Sequence, residues 1–291
     1  MSEKADAGAI RTISDTARWV AVYRAMETER PDAIFHDPYA RRLAGERGEQ
    51  IVRGLRRGKG NAWSMIVRTA VLDELILKLV SAESIDLVVN LAAGLDTRPY
   101  RLALPAGLRW VEVDLAEMID YKAEEMKSET PRCALERVTL DLADEAARRA
   151  FFAKLDAGAQ RILVITEGLL AYLTEEQVTS LATDLHACAH FRFWLSDIAS
   201  PRVKEMLNKH WGKQLSAANA PFHFAPANSS EFFHPLGWQT AEFRDFLYES
   251  RRLNRKMGMD WMIRVQEKVA PRWTAKQMAQ WKSGVVLLRR A

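Results

Sequence analysis

Short apolar runs alternate with amphipathic segments through the middle of the chain. Five runs have the length and apolar content of buried strands: residues 85–91, 109–114, 134–140, 161–166 and 191–197. Each of the first four runs is followed by a segment whose apolar residues have the spacing of a helix. These segments are 97–103, 116–128, 143–154 and 174–189. This alternation predicts an α/β fold with a doubly wound, mostly parallel sheet. Since crossovers between parallel strands are right-handed, the strand carboxyl ends should meet at one edge, where such sheets bind ligands.

Helical patterns precede this α/β unit. Ser14-Asp15-Thr16 predicts the start of a helix over 17–29. A short helix is expected near 39–43, and recurring apolar positions predict a long amphipathic helix over 61–80. We therefore expect an amino-terminal helical extension of the core.

The pattern loosens after residue 200. Residues 201–235 contain four prolines and three histidines, and they predict an insertion after the fifth strand that packs over the sheet edge as a lid. A helix is then expected from Thr240 to about Lys256, and the apolar run 284–290 predicts a final core strand. We expect a single domain made of a helical cap, a ligand-binding core, the lid and a carboxyl-terminal part of the core, over 1–82, 83–200, 201–235 and 236–291.

Composition and charge predict a cytoplasmic protein. Of the 291 residues, 48% are hydrophobic and 27% are charged, which is ordinary for a globular chain. No apolar stretch reaches the roughly 18 residues of a membrane span, and the amino terminus lacks a secretory pattern. Two cysteines without C-x-x-C spacing predict neither a disulfide framework nor a metal site. The net charge is +4, and the basic clusters at 53–59 and 251–256 lack interleaved aromatics, so we expect no nucleic-acid partner.

The most informative segment is the turn after the first predicted strand, residues 90–102. It passes through Gly94 into a predicted helix, so backbone N–H groups at the helix start can meet an anionic ligand. Asp114 follows twenty residues later, directly after the second predicted strand. This spacing is typical of a carboxylate that accepts hydrogen bonds from ribose hydroxyls.

Candidate ligand positions recur just past four successive predicted strands, at Gly94, Asp114, Asp141 and Glu167. Each has a structural alternative, since a glycine can serve a tight turn, an aspartate can cap a helix and a glutamate can be a surface carboxylate. Their recurrence at equivalent positions favours a nucleoside site. There Asp141 can accept a hydrogen bond from an adenine amine, and Leu142 offers an apolar surface and a backbone N–H.

The glycine pattern distinguishes two classes of nucleoside cofactor. A dinucleotide fold favours G-x-G-x-x-G, because the pyrophosphate approaches the backbone closely, whereas this turn has only Gly94. Asp96, two residues on, is a poor neighbour for a pyrophosphate. The turn is better matched to S-adenosylmethionine, whose tail is a zwitterionic amino acid. A nicotinamide-dependent oxidoreductase and a non-catalytic nucleoside-binding scaffold remain alternatives.

Three motifs carry a family resemblance. They are GLDTRPYRL at 94–102, VDL with IDYK within 113–122, and TEGLLAYL at 166–173. In this order they resemble the motifs at the first, second and fourth strands of the leucine carboxyl methyltransferase family, which includes bacterial O-methyltransferases of polyketide type. Segments at 14–17, 37–40 and 67–69 are also similar to the family.

The resemblance implies a class I methyltransferase fold, which is Rossmann-like, with S-adenosylmethionine as the methyl donor. It implies that Arg68 binds the methionyl carboxylate, a task for which a guanidinium fork is suited. Gly94 would lie against the methionine moiety and Glu167 near its ammonium. Asp96 is a further candidate for cofactor binding, because an ammonium suits a carboxylate.

The nucleoside residues follow from the same resemblance. Asp114 would hold the ribose, and Asp141 with Leu142 would hold the adenine. One departure is Ala92, where many members of the family carry glycine. We expect its methyl group to narrow the turn and to weaken cofactor binding without abolishing it.

The acceptor is expected to be a polyketide-like small molecule, methylated on a carboxylate or a hydroxyl. The resemblance puts Tyr172 near the reacting end. A carboxylate acceptor is ionised near neutral pH and needs no base, whereas a hydroxyl benefits from one. His210, His223 and His234 are the candidate bases, although each can equally be structural. A protein C-terminal carboxylate is an alternative acceptor. The oligomeric state does not follow from the sequence.

Overall fold

The computed structural model of the protein describes residues 13–54, 62–217, 221–258, 260–270 and 280–291, with the backbone alone at residue 13 and over 210–217. One seven-stranded sheet runs through the described residues, with helices on both of its faces. Its strands are β1 (Leu87–Leu91), β2 (Arg109–Asp114), β3 (Ala134–Thr139), β4 (Ile162–Thr166), β5 (Phe191–Ile198), β6 (Trp238–Asp245) and β7 (Gly284–Arg290).

The strands lie in the order β3-β2-β1-β4-β5-β7-β6. The first five pair in parallel, while β7 lies between β5 and β6 and is antiparallel to both. The strand order reverses at β1, which has β2 on one side and β4 on the other. A crevice therefore opens at the carboxyl ends of these strands. The predicted doubly wound, mostly parallel sheet is confirmed.

The helices divide into three groups along the chain. Three of the described helices precede the sheet: α1 (Ile13–Thr28), α2 (Ala40–Gly54) and α3 (Ala62–Ala82). The crossovers contain α4 (Arg98–Arg101), α5 (Ala116–Glu125), α6 (Glu145–Ala157) and α7 (Glu175–Ala187), and a 3-10 turn lies at Leu170–Tyr172. The last group is α8 (Pro201–Ala217), the 3-10 segment Ser229–Leu236, α9 (Phe246–Arg252) and α10 (Asp260–Val269). Helix α2 is longer than the short helix expected near 39–43, and it kinks at Gly45, where φ is 60°.

The core lies on both faces of the sheet because successive strand residues point to opposite sides. Leu87, Val89 and Leu91 of β1 pack in one cluster, which also contains Phe152 of α6. Val88 packs in the opposite cluster against apolar residues of α3. All five residues of β1 are buried. This burial explains why a continuous apolar run predicted the strand.

The structure corrects one prediction made for the chain after residue 200 and adds one helix there. A helix was expected from Thr240 to about Lys256, but Trp238–Asp245 forms β6 and the helix spans only Phe246–Arg252. Strand β6 is an edge strand in which only Trp238 is buried, so its largely polar sequence resembles an amphipathic helix. The segment expected as a lid insertion contains a helix, Pro201–Ala217, that the sequence pattern did not predict.

The described residues contain neither a membrane-spanning helix nor a cluster of metal ligands. None of their helices combines the length and the apolar composition that a membrane crossing needs. Nor do these residues contain a group of three or more His, Cys, Asp or Glu side chains that could hold a metal ion.

Candidate functional site

A cavity of about 1750 Å³ opens at the carboxyl ends of β1, β2 and β4. The predicted cofactor residues and Tyr172 all line it: Arg68, Gly94, Asp96, Asp114, Asp141, Leu142, Glu167 and Tyr172. The strand-end residues, which are far apart in the sequence, thus meet because parallel crossovers return every strand to the same edge. Arg68 reaches the cavity from α3.

The turn after β1 has an unusual backbone. Gly94 has φ 49°, and a Cβ atom there would lie 3.3 Å from the Cβ of Ala17 in α1. Ala92 also has a positive φ, 52°, although it carries a side chain. Left-handed backbone at an L-residue costs about 1–2 kcal/mol, so the departure from glycine at residue 92 places local strain in this turn.

Asp114 is held at the end of β2 by two backbone groups. Its Oδ2 accepts a hydrogen bond from the Gly94 N–H at 2.7 Å, and its Oδ1 accepts one from the Leu115 N–H at 2.8 Å. Burial raises the pKa of this carboxyl, and the two hydrogen bonds oppose that rise. Each carboxylate oxygen can still accept a further hydrogen bond from the cavity side.

The turn after β3 is fixed in a similar way. Asp141 Oδ1 accepts a hydrogen bond from the Ala143 N–H at 2.9 Å. The Leu142 carbonyl accepts one from Arg148 Nη1 at 2.8 Å, and Arg148 Nε donates to Asp184 at 2.9 Å. Sequence reasoning missed Arg148, which is buried and ties the Asp141–Leu142 turn to α6 and α7.

Arg68 of α3 reaches two carboxylates across the cavity. Its Nε donates to Glu167 at 2.9 Å and its Nη1 to Asp197 at 3.1 Å. Asp197 also accepts a hydrogen bond from the Gly168 N–H at 2.6 Å. A guanidinium has five N–H donors, so Arg68 can bind a further anion while keeping both contacts. Asp197 was not predicted, although it follows the same rule as the others, because it lies at the carboxyl end of β5.

Arg98 joins three carboxylates. Its Nε lies 2.7 Å from Asp73, and its Nη1 lies 2.8 Å from Asp96 and 2.7 Å from Glu167. Asn90 also donates to Asp96 at 2.8 Å. Burial opposes ionisation of Asp96, but the charges of Arg98 and other nearby cations outweigh it and hold the pKa well below its usual range. Asp96 therefore has protein partners in addition to its place in the cavity wall.

These contacts continue into the amino-terminal helices as one connected series. We call it the ion chain. Its members, in order of contact, are Arg24, Asp37, Arg101, Asp73, Arg98, Glu167, Arg68 and Asp197, and Asp96 branches from Arg98. Adjacent charged atoms lie 2.5–3.9 Å apart, and no member's side chain is more than 16% exposed. The ion chain therefore couples the helical cap to the strand ends that form the cavity.

Tyr172 lies on the cavity wall and stacks on Phe222, with 5.2 Å between the ring centroids. Burial raises the pKa of its phenol above 10, and a hydrogen bond with Thr16 opposes part of that rise. Tyr172 thus stays protonated at neutral pH. It can donate a hydrogen bond but does not serve as a base there.

The structure does not bring His223 or His234 to the cavity. Both are exposed and neither lines it. The His223 backbone N–H donates to Ala171 at 2.7 Å, and the His234 ring lies 3.2 Å from the Thr240 hydroxyl. Phe222 lines the cavity, whereas the neighbouring His223 is exposed and does not. The side chain of His210 lies outside the described residues.

The cavity continues away from the strand ends into a region that we call the apolar extension. Its side chains come from α3, α8, α10 and the segment before β7, together with Phe222: Trp63, Met65, Met206, Phe222, Ile263 and Trp281. The cavity thus combines charged groups at the strand ends with apolar side chains from the surrounding helices, and Asp245, Glu267 and Lys282 also line it. A lining of both kinds suits a zwitterionic nucleoside together with a second, less polar molecule.

The amino-acid sequence is similar to a family profile and to the sequences of known proteins. Residues 17–186, more than half of the chain, match the sequence profile of the family described as leucine carboxyl methyltransferase. A Frankia alni protein, named as a predicted S-adenosyl-L-methionine-dependent methyltransferase, is 38% identical over 241 residues, which cover 78% of this chain and 83% of that protein. A Streptomyces coelicolor relative of the same description is 37% identical over 178 residues, or 57% of this chain, and the match spans only 62% of that relative's length.

The fold comparison covers nearly the whole molecule. The crystal structure of a DUF574 family protein from Streptomyces avermitilis matches with a TM-score of 0.61 and 13% sequence identity. The match covers 99% of this chain and 100% of that chain. At this identity the similarity concerns the fold alone.

Proposed function

The chain belongs to the leucine carboxyl methyltransferase family, and we propose that it transfers a methyl group from S-adenosylmethionine to an oxygen of a small-molecule acceptor. One observation carries the proposal. Strand-end groups and Arg68 converge on a single cavity that continues into the apolar extension. A nucleoside cofactor and an acceptor could therefore lie side by side.

The nucleoside end of the cavity fits the cofactor. Asp114 has both carboxylate oxygens fixed by backbone N–H groups, so it would present an ordered pair of acceptors to the ribose hydroxyls. Asp141 is fixed through the Ala143 N–H, which leaves its second oxygen for the adenine amine. Leu142 would supply the apolar contact to the base.

The amino-acid end presents charges of both signs. Arg68 would bind the cofactor carboxylate through its remaining donors. Glu167 and Asp197, both already directed at Arg68, would receive the ammonium. Gly94 would allow the ligand to approach the backbone without a side chain between them. Such a site holds a zwitterion better than a pyrophosphate.

When bound, the cofactor supplies an electrophilic methyl group on its sulfonium sulfur. The chain's own residues would contribute positioning and partial desolvation, because they would hold both molecules in one cavity. Among the described residues that line it, no histidine is present, and Tyr172 is protonated at neutral pH. An acceptor that is already ionised needs no base, so a carboxylate acceptor is the first candidate, whereas a hydroxyl acceptor would need one of the carboxylates that line the cavity as its base.

The acceptor's body would occupy the apolar extension. Aromatic and thioether side chains there favour a molecule with a rigid or extended apolar skeleton, for which a polyketide-like acid is one source. A protein C-terminal carboxylate is the second candidate within the family's chemistry, and a peptide probe distinguishes the two.

Calorimetry tests the cofactor. S-adenosylhomocysteine should bind the wild-type protein, and NADP should not. Binding of NADP alone would replace the proposal by a nicotinamide-dependent activity. Failure to bind either ligand would favour a non-catalytic scaffold.

A matched pair of acceptors tests the chemistry. 4-Phenylbenzoate and 4-phenylphenol share an apolar body and differ in the accepting oxygen, and S-adenosylhomocysteine release reports transfer. We expect the protein to methylate the carboxylate at a rate that does not change between pH 6 and 9. Turnover of the phenol alone, rising with pH, would assign a hydroxyl acceptor. Turnover only of a peptide with a free C-terminal leucine would assign protein methylation.

A further inference from the structure

The ion chain has unequal numbers of positive and negative groups. It contains four guanidinium groups, from Arg24, Arg68, Arg98 and Arg101. Five carboxylates face them, from Asp37, Asp73, Asp96, Glu167 and Asp197. At neutral pH the ion chain therefore carries one negative charge in excess. None of its own side chains is more than 16% exposed.

Neighbouring buried charges do not remove this excess. Glu112 pairs with Lys122 at 2.7 Å and with Arg137 at 3.0 Å, which leaves that cluster with one positive charge. The carboxylate of Asp114 lies close enough to Lys122 for its charge to lower the Asp114 pKa, and it offsets that cluster. The charge of Lys122 also lowers the pKa of Asp96, so this cluster acts on the ion chain as well. Taken together, the ion chain, this cluster and Asp114 still carry one negative charge in excess.

The ion chain meets the cavity at Glu167, Arg68 and Asp197. The cofactor's amino-acid tail would bring one charge of each sign, so it would leave the excess unchanged. The sulfonium brings one further positive charge. Breaking the S–CH3 bond leaves its electron pair on sulfur while the methyl group bonds to the acceptor oxygen, so the product is an uncharged thioether.

We propose that the excess negative charge of the ion chain makes this site bind the sulfonium cofactor more tightly than its thioether product. The inference rests on the proposed function, because it concerns the same cofactor. Loss of the sulfonium charge then weakens binding at the moment of transfer and favours product release. Asp197 is the specificity-determining residue at the cavity end, because Arg68 is its only charged partner closer than 4 Å among the described residues.

Two stable cofactor analogues have similar shapes but differ in charge at the position of the sulfonium, so their Kd values report the effect of that charge. Sinefungin carries an ammonium group where the cofactor has its sulfonium, and S-adenosylhomocysteine is the neutral thioether. Calorimetry at pH 7.5 should give a Kd about tenfold lower for sinefungin. This is the size expected for one unit charge acting across roughly 12 Å at an effective dielectric constant near 20.

The Asp197→Asn variant removes the excess charge and keeps the shape. Its amide oxygen can still accept from the Gly168 N–H. The ratio of the two Kd values should fall from about ten towards one. The matched control is Asp86→Asn, at the opposite edge of the sheet, where the carboxylate accepts from the N–H groups of Gln160 and Arg161. The control should keep the wild-type ratio.

The outcomes separate this inference from the proposed function. Equal Kd values, or tighter binding of S-adenosylhomocysteine by the wild type, overturn the inference while leaving methyl transfer in place. Binding of neither probe overturns both. An unchanged ratio in Asp197→Asn assigns the preference elsewhere and also overturns the inference. If that variant does not fold, Asp73→Asn removes the same charge at a different position, and the wild-type ratio still decides.

Discussion

Replacement of Arg98 by Met should remove about 3–5 kcal/mol from the free energy of unfolding at pH 7. The Arg98 side chain is 2% exposed and contacts Asp73, Asp96 and Glu167 at 2.7–2.8 Å. Met keeps much of the apolar stem but has no donor, so the carboxylates lose the cation that they share. A domain has only about 5–15 kcal/mol of stability, so this loss is a large part of the total.

The loss should depend on pH in a defined direction. Burial opposes ionisation of Glu167, but Arg98 and Arg68 outweigh it and lower its pKa, and cations lower the pKa of Asp96 in the same way. Such carboxyls stabilise the wild type above their unfolded pKa values, near 4, and this contribution is lost as pH falls through the folded values. Without Arg98 these pKa values rise, so the carboxyls take up protons more readily. The difference between wild type and variant should therefore narrow from pH 7 to pH 4.

Urea denaturation followed by tryptophan fluorescence measures both effects, and an unchanged m value would show that the unfolded states are comparable. The matched control is Arg149→Met, because Arg149 is 54% exposed and pairs only on the surface with Glu145 and, at 3.9 Å, Asp184. That control should change stability by less than about 1 kcal/mol. A loss below about 1 kcal/mol for Arg98→Met, or a difference that widens on acidification, would refute the reasoning.

Three further substitutions test other parts of the site and fold. Asp114→Ala should weaken S-adenosylhomocysteine binding by about 1–3 kcal/mol in calorimetry, and an unchanged Kd would exclude its ribose role. Arg68→Lys should weaken the same ligand but not 5′-methylthioadenosine, which lacks the amino-acid tail; equal losses for both would argue against a carboxylate contact. Gly237→Ala should lower the Tm by several degrees, because φ is 86° and a Cβ would lie 2.3 Å from His186 Nε2, and an unaltered Tm would contradict this.

The parallel half of the fold could be predicted because its strands are buried on both faces. The run at 85–91 contains β1 entirely, and Gly94, Asp114, Asp141 and Glu167 follow from the rule that ligand groups lie at strand ends. Strand β6 could not be predicted in this way. It has one neighbour and one buried residue, so its position depends on pairing with β7, a segment about forty residues later.

The ion chain could not be predicted from the sequence, and it is a larger feature than β6. Arg98 and Arg101 stand inside the first motif, but nothing local indicates that Asp73 of α3 lies beside them. Pairing between distant residues depends on how helices dock on the sheet, and single-sequence periodicity does not report docking. Asp197 could have been found, because it ends the fifth predicted strand. The histidines were proposed from residue type alone, and the structure does not bring His223 or His234 to the cavity.

The position of β7 has a consequence for synthesis. Strand β6 pairs only with β7, and β7 also forms the outer border of β5. While the ribosome makes the residues between Asp245 and Gly284, for roughly 2–8 s at 5–20 residues per second, both β5 and β6 expose unpaired edges. The nascent chain therefore passes through an interval in which a chaperone, or a neighbouring nascent chain, can compete with its own last strand.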